Sequence, residues 1–348
     1  MVATTAGADE RIARLGLLRR LLLKPELGAL IGAVLIFVFF SSLSDVFWSF
    51  SGVANWLDLA SNPIGIMAVA VALLMIGGHF DLSAGTMVGT AGLATAILTQ
   101  NAHTVIWVAM LESLILCLAI GFLNGFLVVR TGLPSFIITL STFLGLQGLN
   151  VGLTKLITNT VQVQGIDKEP YVSGPHALLA SNITIAGQPI PIAVFWWLLF
   201  TAVGSWVLFQ TRFGNWIFAI GGDKNASRNV GVPAARTTII LFMTVSFAAW
   251  FAGNTIVLRF NSIQAVAGVG QELVFIVAAV IGGCLLTGGF GSVVGASIGA
   301  LIFGMTSAGI VYANWDSDWF RFFLGGMLLV AVLANQFVRG LGARRRSL

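Results

Sequence analysis

Asp81 is the residue whose type and setting most demand a chemical account. It stands in LLMIGGHFDLSAGTMVGTAG (residues 73–92), beside His79 and Ser83 and among Gly77, Gly78, Gly85 and Gly89, with apolar sequence on both sides. An acid at the centre of a membrane helix costs roughly 2.5–3.5 kcal/mol on insertion scales, so it faces protein or water and takes a partner. Two roles fit. In one, Asp81 or Ser83 caps a new helix start after a glycine break by accepting backbone N–H bonds. In the other, Asp81 is a pathway or gate residue. The Asp-x-Ser spacing favours capping for the side chain, and the capped element can still shape a pathway.

Glu112 is a second acid inside an apolar run. It reads as a buried polar anchor for a backbone group or serine hydroxyl, or as a proton-coupling group, and the structural role is favoured. Ion-coupled carriers ordinarily place more ionisable groups in the membrane than these two.

Other chemistry is missing from the sequence. His79, His103 and His176 show no ligand spacing, and Cys117 and Cys284 sit in apolar stretches as small buried hydrophobes. No nucleophile–base pair can be proposed from spacing. The lysines are Lys24, Lys155, Lys168 and Lys224, and none follows a glycine, so there is no phosphate-binding G-x-x-x-x-G-K-[ST] loop. The chain is therefore expected to be no enzyme and to hold no cofactor. If ATP–Mg drives it, a partner chain binds the nucleotide.

The chain is 57% hydrophobic and 9% charged, with mean hydropathy +0.95. Soluble domains carry about 25% charged residues, so too little charge is present to cover a water-facing surface. The expected fold is an all-α polytopic membrane protein in contact with lipid. Apolar runs predict about ten transmembrane helices, some short or broken, near 27–47, 60–77, 83–99, 104–129, 134–157, 190–210, 237–259, 273–288, 291–312 and 320–338.

With the N-terminus inside, 14 basic residues fall on the inner side and only Lys155, Lys168, Arg259 and Arg321 at or beyond the outer ends. That asymmetry predicts both termini in the cytoplasm and accounts for the +5 net charge without nucleic acid. The expected organisation is a cytoplasmic segment 1–26, a transmembrane domain 27–338 and a basic cytoplasmic tail 339–348. Within the domain, 158–189 is expected outside and 211–236 in the cytoplasm.

The inner loop contains FGNWIFAIGGDKNASRNVGVPAAR, from Phe213 to Arg236. Gly221 and Gly222 end one segment, Asp223 can cap a short helix running to Val230, and Gly231 and Pro233 stop it. Such a helix either lies on the lipid surface or docks into a partner. A faint echo links the two halves. Ile76-Gly77-Gly78 and Gly85-Thr86-Met87-Val88-Gly89 resemble Ile281-Gly282-Gly283 and Gly291-Ser292-Val293-Val294-Gly295. Glycine-rich sequence produces such echoes readily. A genuine pair of glycine-interrupted segments marks a transporter's central pathway.

Four stretches, spread from about residue 60 to 338, together resemble the permease subunit of ribose-type sugar ABC importers, a bacterial binding-protein-dependent family. They are GGHFDLSAG (77–85), NGFLVVRTGLPSFIITLSTFLGLQG (124–148), AIGGDKNASRNVGV (219–232) and IGGCLLTGGFGSVVGASIGALIFG (281–304). Departures occur at His79-Phe80, Asp223-Lys224-Asn225 and Cys284-Leu285-Leu286. The resemblance implies a bacterial inner-membrane complex with a second permease copy or paralogue, a cytoplasmic ATP-binding subunit and an extracytoplasmic solute-binding protein. A sugar-like solute would pass between the permeases.

By the same resemblance, Gly77, Gly78, Asp81, Ser83, Gly85, Asn124, Thr139, Gly282, Gly283, Gly291 and Ser292 are pathway or helix-break candidates. Gly221, Gly222, Asp223, Ala226 and Gly231 are ATPase-coupling candidates. The competing readings are an ion-coupled secondary transporter that works without an ATPase, and a membrane scaffold.

Overall fold

The computed structural model describes residues 25–344, so 1–24 of the expected N-terminal segment and 345–348 of the tail lie outside the described residues. Residues 339–344 continue the last helix. The helices in chain order are α1 (Pro25–Leu43), α2 (Asp45–Trp48), α3 (Phe50–Ala60), α4 (Ile66–Ile76), α5 (Ala84–Gln100), α6 (Ile106–Thr131), α7 (Ser135–Thr158) and α8 (Ser173–Leu179). They continue with α9 (Ile192–Gln210), α10 (Arg212–Gly222), α11 (Lys224–Asn229), α12 (Ala234–Phe260), α13 (Gln271–Ile281), α14 (Val293–Tyr312) and α15 (Trp319–Arg344).

Each of the ten expected apolar segments carries helix. Among the described residues, seven are long and apolar enough to cross a membrane: α1, the run from Phe50 to Ile76, α6, α7, α9, α12 and α14. The second segment starts ten residues before its expected position, because Ser49 Oγ accepts the Gly52 N–H (3.1 Å) to start α3, which joins α4 through a kink at Ser61–Gly65 where Asn62 leaves helical backbone angles. The segment expected at 273–288 is cut short at Ile281. Its apolar character continues past Gly282, but Gly283 takes a left-handed φ of 92° that ends the helix.

Every residue of α4 (IMAVAVALLMI) is buried, as an apolar helix without a polar face requires, and α9, α12, α13 and α14 pack around it. By contrast α1 and α7 expose large apolar side chains such as Leu35, Val38, Leu144 and Leu156, the surface that hydrocarbon would cover. Inside the bundle, backbones approach closely where glycine allows it. A Cβ on Gly92 would press on Gly253 O, and one on Gly295 would overlap Gly282 O.

Four short strands cap one end. β1 (Gln162–Gln164) pairs antiparallel with β4 (Ser262–Gln264), setting Val163 opposite Ile263. β2 (Asn182–Ile185) and β3 (Gln188–Pro191) form a hairpin whose turn residues, Ala186 and Gly187, both have positive φ. Residues 158–189 are thus structured, with α8 packed on α12. The 27 residues of α12 rise about 40 Å. Its last residues adjoin β4 and its first adjoin α11, so the strands and the α10–α11 loop occupy opposite ends.

Candidate functional site

The glycine break after α4 has a defined hydrogen-bonding scheme. Gly78 N–H donates to Met75 O (2.9 Å) and His79 N–H to Leu74 O (3.1 Å), the paired bonds that close a helix on a left-handed glycine, here Gly78 at φ 82°. Gly77 is the last residue before the turn, and a Cβ there would meet Leu241 Cδ1 at 2.6 Å. The chain then turns through His79–Ser83 into α5.

Asp81 does not cap that helix, whose first residue is Ala84; it closes the turn leading into it. Its Oδ1 accepts the Ser83 N–H (2.9 Å) and the Ser83 hydroxyl (2.5 Å), and the carboxylate is buried. Ser83, the other capping candidate, makes no cap bond of its own and is already helical in φ/ψ. Its Oγ instead accepts from Asn124 Nδ2 (3.1 Å) on α6, while Asn124 Oδ1 accepts from Thr142 Oγ1 (2.6 Å) on α7. Two backbone N–H groups freed by the break are also met from α7: Phe80 N–H donates to Ser135 Oγ (2.9 Å) and Leu82 N–H to Thr139 Oγ1 (3.0 Å). Asp81, Ser83, Asn124 and Thr139 therefore belong to one buried polar network.

The second break repeats the first. Gly283 N–H donates to Val280 O (2.9 Å) and Cys284 N–H to Ala279 O (3.0 Å), and Gly282 matches Gly77 in backbone angles. Ser292 Oγ then accepts the Gly295 N–H (3.3 Å) to start α14. Gly291, at φ 153°, lies where a Cβ would crowd Cys284 and Ile76. The echo between the halves is structural.

The two breaks touch. Gly289 N–H donates to Ile76 O (2.8 Å), so the loop of the second break bonds the last helical residue before the first. The end of α10 closes on the same point: a Cβ on Gly221 would overlap Ile76 O and Gly289 N, and one on Gly288 would press on Gly78 Cα and Gly221 O. Gly85 lies apart from this junction, against Gly268 and Glu272.

Beyond α10, Asp223 Oδ1 accepts the N–H groups of Asn225 (2.8 Å) and Ala226 (2.9 Å) and so caps α11. Gly231, at φ 81°, ends it by donating to Arg228 O (3.0 Å), with Val232 N–H donating to Ser227 O (3.1 Å). Only Ser227 of α11 is buried; Ala226, Asn229 and the following Val230 are exposed. Lys224 is partly buried, and that burial, with the Arg228 charge nearby, pulls its ammonium below the ordinary lysine range. Gly222 differs from Gly221, because the space where its Cβ would stand is open. Nothing at position 222 calls for glycine.

One expectation is corrected. Glu112 is exposed on α6, and the buried anchor is the next residue. Ser113 Oγ accepts from Trp250 Nε1 (3.0 Å) and from Thr95 Oγ1 (2.8 Å). A helix turns about 100° per residue, so neighbours in sequence face different sides. Other participants went unread. Gly288 and Gly289 were visible only as part of TGGFGS, and Ser135 and Thr142 only as hydroxyls spaced with Thr139 along one helix face. At the strand end, Asp58 pairs with Arg259 in a two-pronged contact joining α3 to α12. No group of residues suited to hold a metal ion occurs among the described residues.

A family model described as the permease component of branched-chain amino acid transport systems matches residues 52–332. The chain belongs to this permease family. The permease is 31% identical to the ribose import permease protein RbsC of Escherichia coli strain K12 over 314 residues, covering 89% of this chain and 93% of the relative. It is 28% identical to the autoinducer 2 import system permease protein LsrC of Enterobacter sp. strain 638, covering 91% and 88%. With the xylose transport system permease protein XylH of Haemophilus influenzae it shares 27% identity, covering 87% and 94%. No solved structure matches the chain. The permease is a multi-pass transport subunit of the bacterial inner membrane, not an enzyme.

Proposed function

We propose that this permease carries a sugar or sugar-like solute inward for an ATP-driven importer, receiving it from an extracytoplasmic binding protein. The ribose and xylose permeases among its relatives support the substrate class, and a sequence without a phosphate-binding loop fits ATP binding by a partner. Residues 211–236 face the cytoplasm and 158–189 the outside, as the charge asymmetry favours.

The observation that carries the energy-coupling part is α11. It is fixed at both ends, by the Asp223 cap and the Gly231 turn, yet it presents Ala226, Asn229 and Val230 outward, and Val230 is 78% exposed. A rigid short element with an uncovered small and apolar face is what an ATPase groove would grip. Ion coupling is disfavoured, since Glu112 is exposed and the Asp81 carboxylate is engaged by Ser83.

The test is co-expression with the cognate ATP-binding subunit, followed by co-purification and uptake of ribose or xylose into vesicles. The wild-type chain is expected to retain the ATPase and to take up sugar only with ATP. Ala226→Trp should overpack the contact by about 1–3 kcal/mol, so that the ATPase and uptake are lost while the permease stays abundant. Uptake driven by an ion gradient in vesicles holding this chain alone would overturn the proposal.

A further inference from the structure

We infer that Gly221 is the positioning residue through which movement of α11 reaches both helix breaks at once, a step that rests on the importer function proposed above. Gly221 and α11 move together because Asp223 belongs to both elements. Its N–H donates to Ala219 O (3.0 Å) at the end of α10, while its carboxylate caps α11. On the other side, Gly221 lies against Ile76 O and Gly78 Cα of the first break and against Gly289 N of the second. The Gly289–Ile76 hydrogen bond ties those two breaks to each other.

The contacts that Gly221 makes with the two breaks are all between backbone atoms. A displacement arriving through packed backbone finds no flexible side chain to absorb it, and close-packed interiors transmit strain. The receiving elements are the ends of α4 and α13 and the turns leading into α5 and α14, so one contact addresses four helices. His79 adds a second tie within the first break. Its ring packs 5.9 Å from Phe242, and Lys224 of α11 stands within electrostatic reach. Glycine is required at 221 by the lack of room, whereas its neighbour 222 has room to spare.

The experiment uses the permease–ATPase complex in proteoliposomes with its binding protein. It records sugar taken up per ATP hydrolysed, and hydrogen–deuterium exchange in 77–83 and 284–292 with and without a non-hydrolysable ATP analogue. In the wild type, exchange in both segments is expected to change together when the analogue binds. Gly221→Ala should keep the ATPase bound and hydrolysing, while uptake per ATP falls about tenfold or more. Gly28→Ala on α1, whose methyl enters open space and lies outside every element of the proposed relay, should keep the wild-type ratio.

Equal ratios in the two variants would overturn the inference. So would a wild-type complex in which the analogue leaves either segment unchanged, and this arm decides the matter even if Gly221→Ala fails to assemble. A wild-type chain that binds no ATPase would overturn the importer function, and this inference with it.

Discussion

Replacing Asp81 by leucine is expected to cost several times more than replacing it by asparagine. Asp81 Oδ1 accepts two hydrogen bonds, from the Ser83 N–H and the Ser83 hydroxyl, at a site closed to water. Asparagine keeps a carbonyl oxygen in the same place, so both bonds survive in weaker form and the expected loss is about 1 kcal/mol. Leucine leaves two buried donors without an acceptor, at about 1–3 kcal/mol each, or roughly 2–6 kcal/mol together. The damage should spread, because Ser83 Oγ also receives Asn124, which in turn receives Thr142. The assay is membrane abundance and thermal unfolding of the purified permease, with uptake measured alongside. Asp81→Asn should remain near wild type in abundance and transport, while Asp81→Leu loses both. Equal loss of transport in the two variants at normal abundance would refute the turn-holding role and make the negative charge itself essential.

Two further outcomes follow from the opposite end of the molecule. A cysteine at the exposed Gln164 should react with a membrane-impermeant thiol reagent added from outside, and labelling only from the cytoplasmic side would reverse the proposed orientation. Asp58→Asn should lower thermal stability by about 1 kcal/mol, since the Arg259 pair is partly exposed, and the deficit should shrink in high salt. A deficit that salt does not change would mean that the pair acts through packing instead.

Run length made the helical segments legible, because a bilayer-spanning helix needs an apolar stretch of known size. Ends and rotations were harder. Hydropathy continues through Cys284-Leu285-Leu286, so it carried the expected eighth segment beyond the true end of α13, although Gly282-Gly283 marked that end in plain sight. Glu112 was misplaced for a related reason, because an average over a window has no sense of facing. The period was nonetheless present: Ser113, Cys117, Gly121, Asn124 and Val128 are among the buried positions of α6, and Glu112 falls off that stripe. The pairing of β1 with β4 joins residues about a hundred positions apart, and no local pattern announces it.

The caps and stops of α11 were fully written in Asp223, Gly231 and Pro233. The junction at Gly221 was not, since it depends on three separate turns meeting. Each turn shows its glycines, but only the folded chain shows that Ile76, Gly221 and Gly289 share one place.

The two breaks look alike in backbone yet differ in what sustains them. After the second, the chain closes on itself: Leu285 N–H donates to Phe290 O (3.1 Å) and Gly288 N–H to Leu285 O (3.2 Å), with Ser292 capping the next helix. After the first, Phe80 and Leu82 depend on Ser135 and Thr139, which belong to another helix. That helix, α7, packs chiefly on α5 and α6 and exposes much of its remaining surface. Away from water, an unmet N–H costs about 1–3 kcal/mol, so withdrawing α7 would penalise the first break twice and the second not at all. The position of α7 and the shape of the Asp81 turn are thus energetically one variable. The second break answers only to its own loop and to the junction at Gly221.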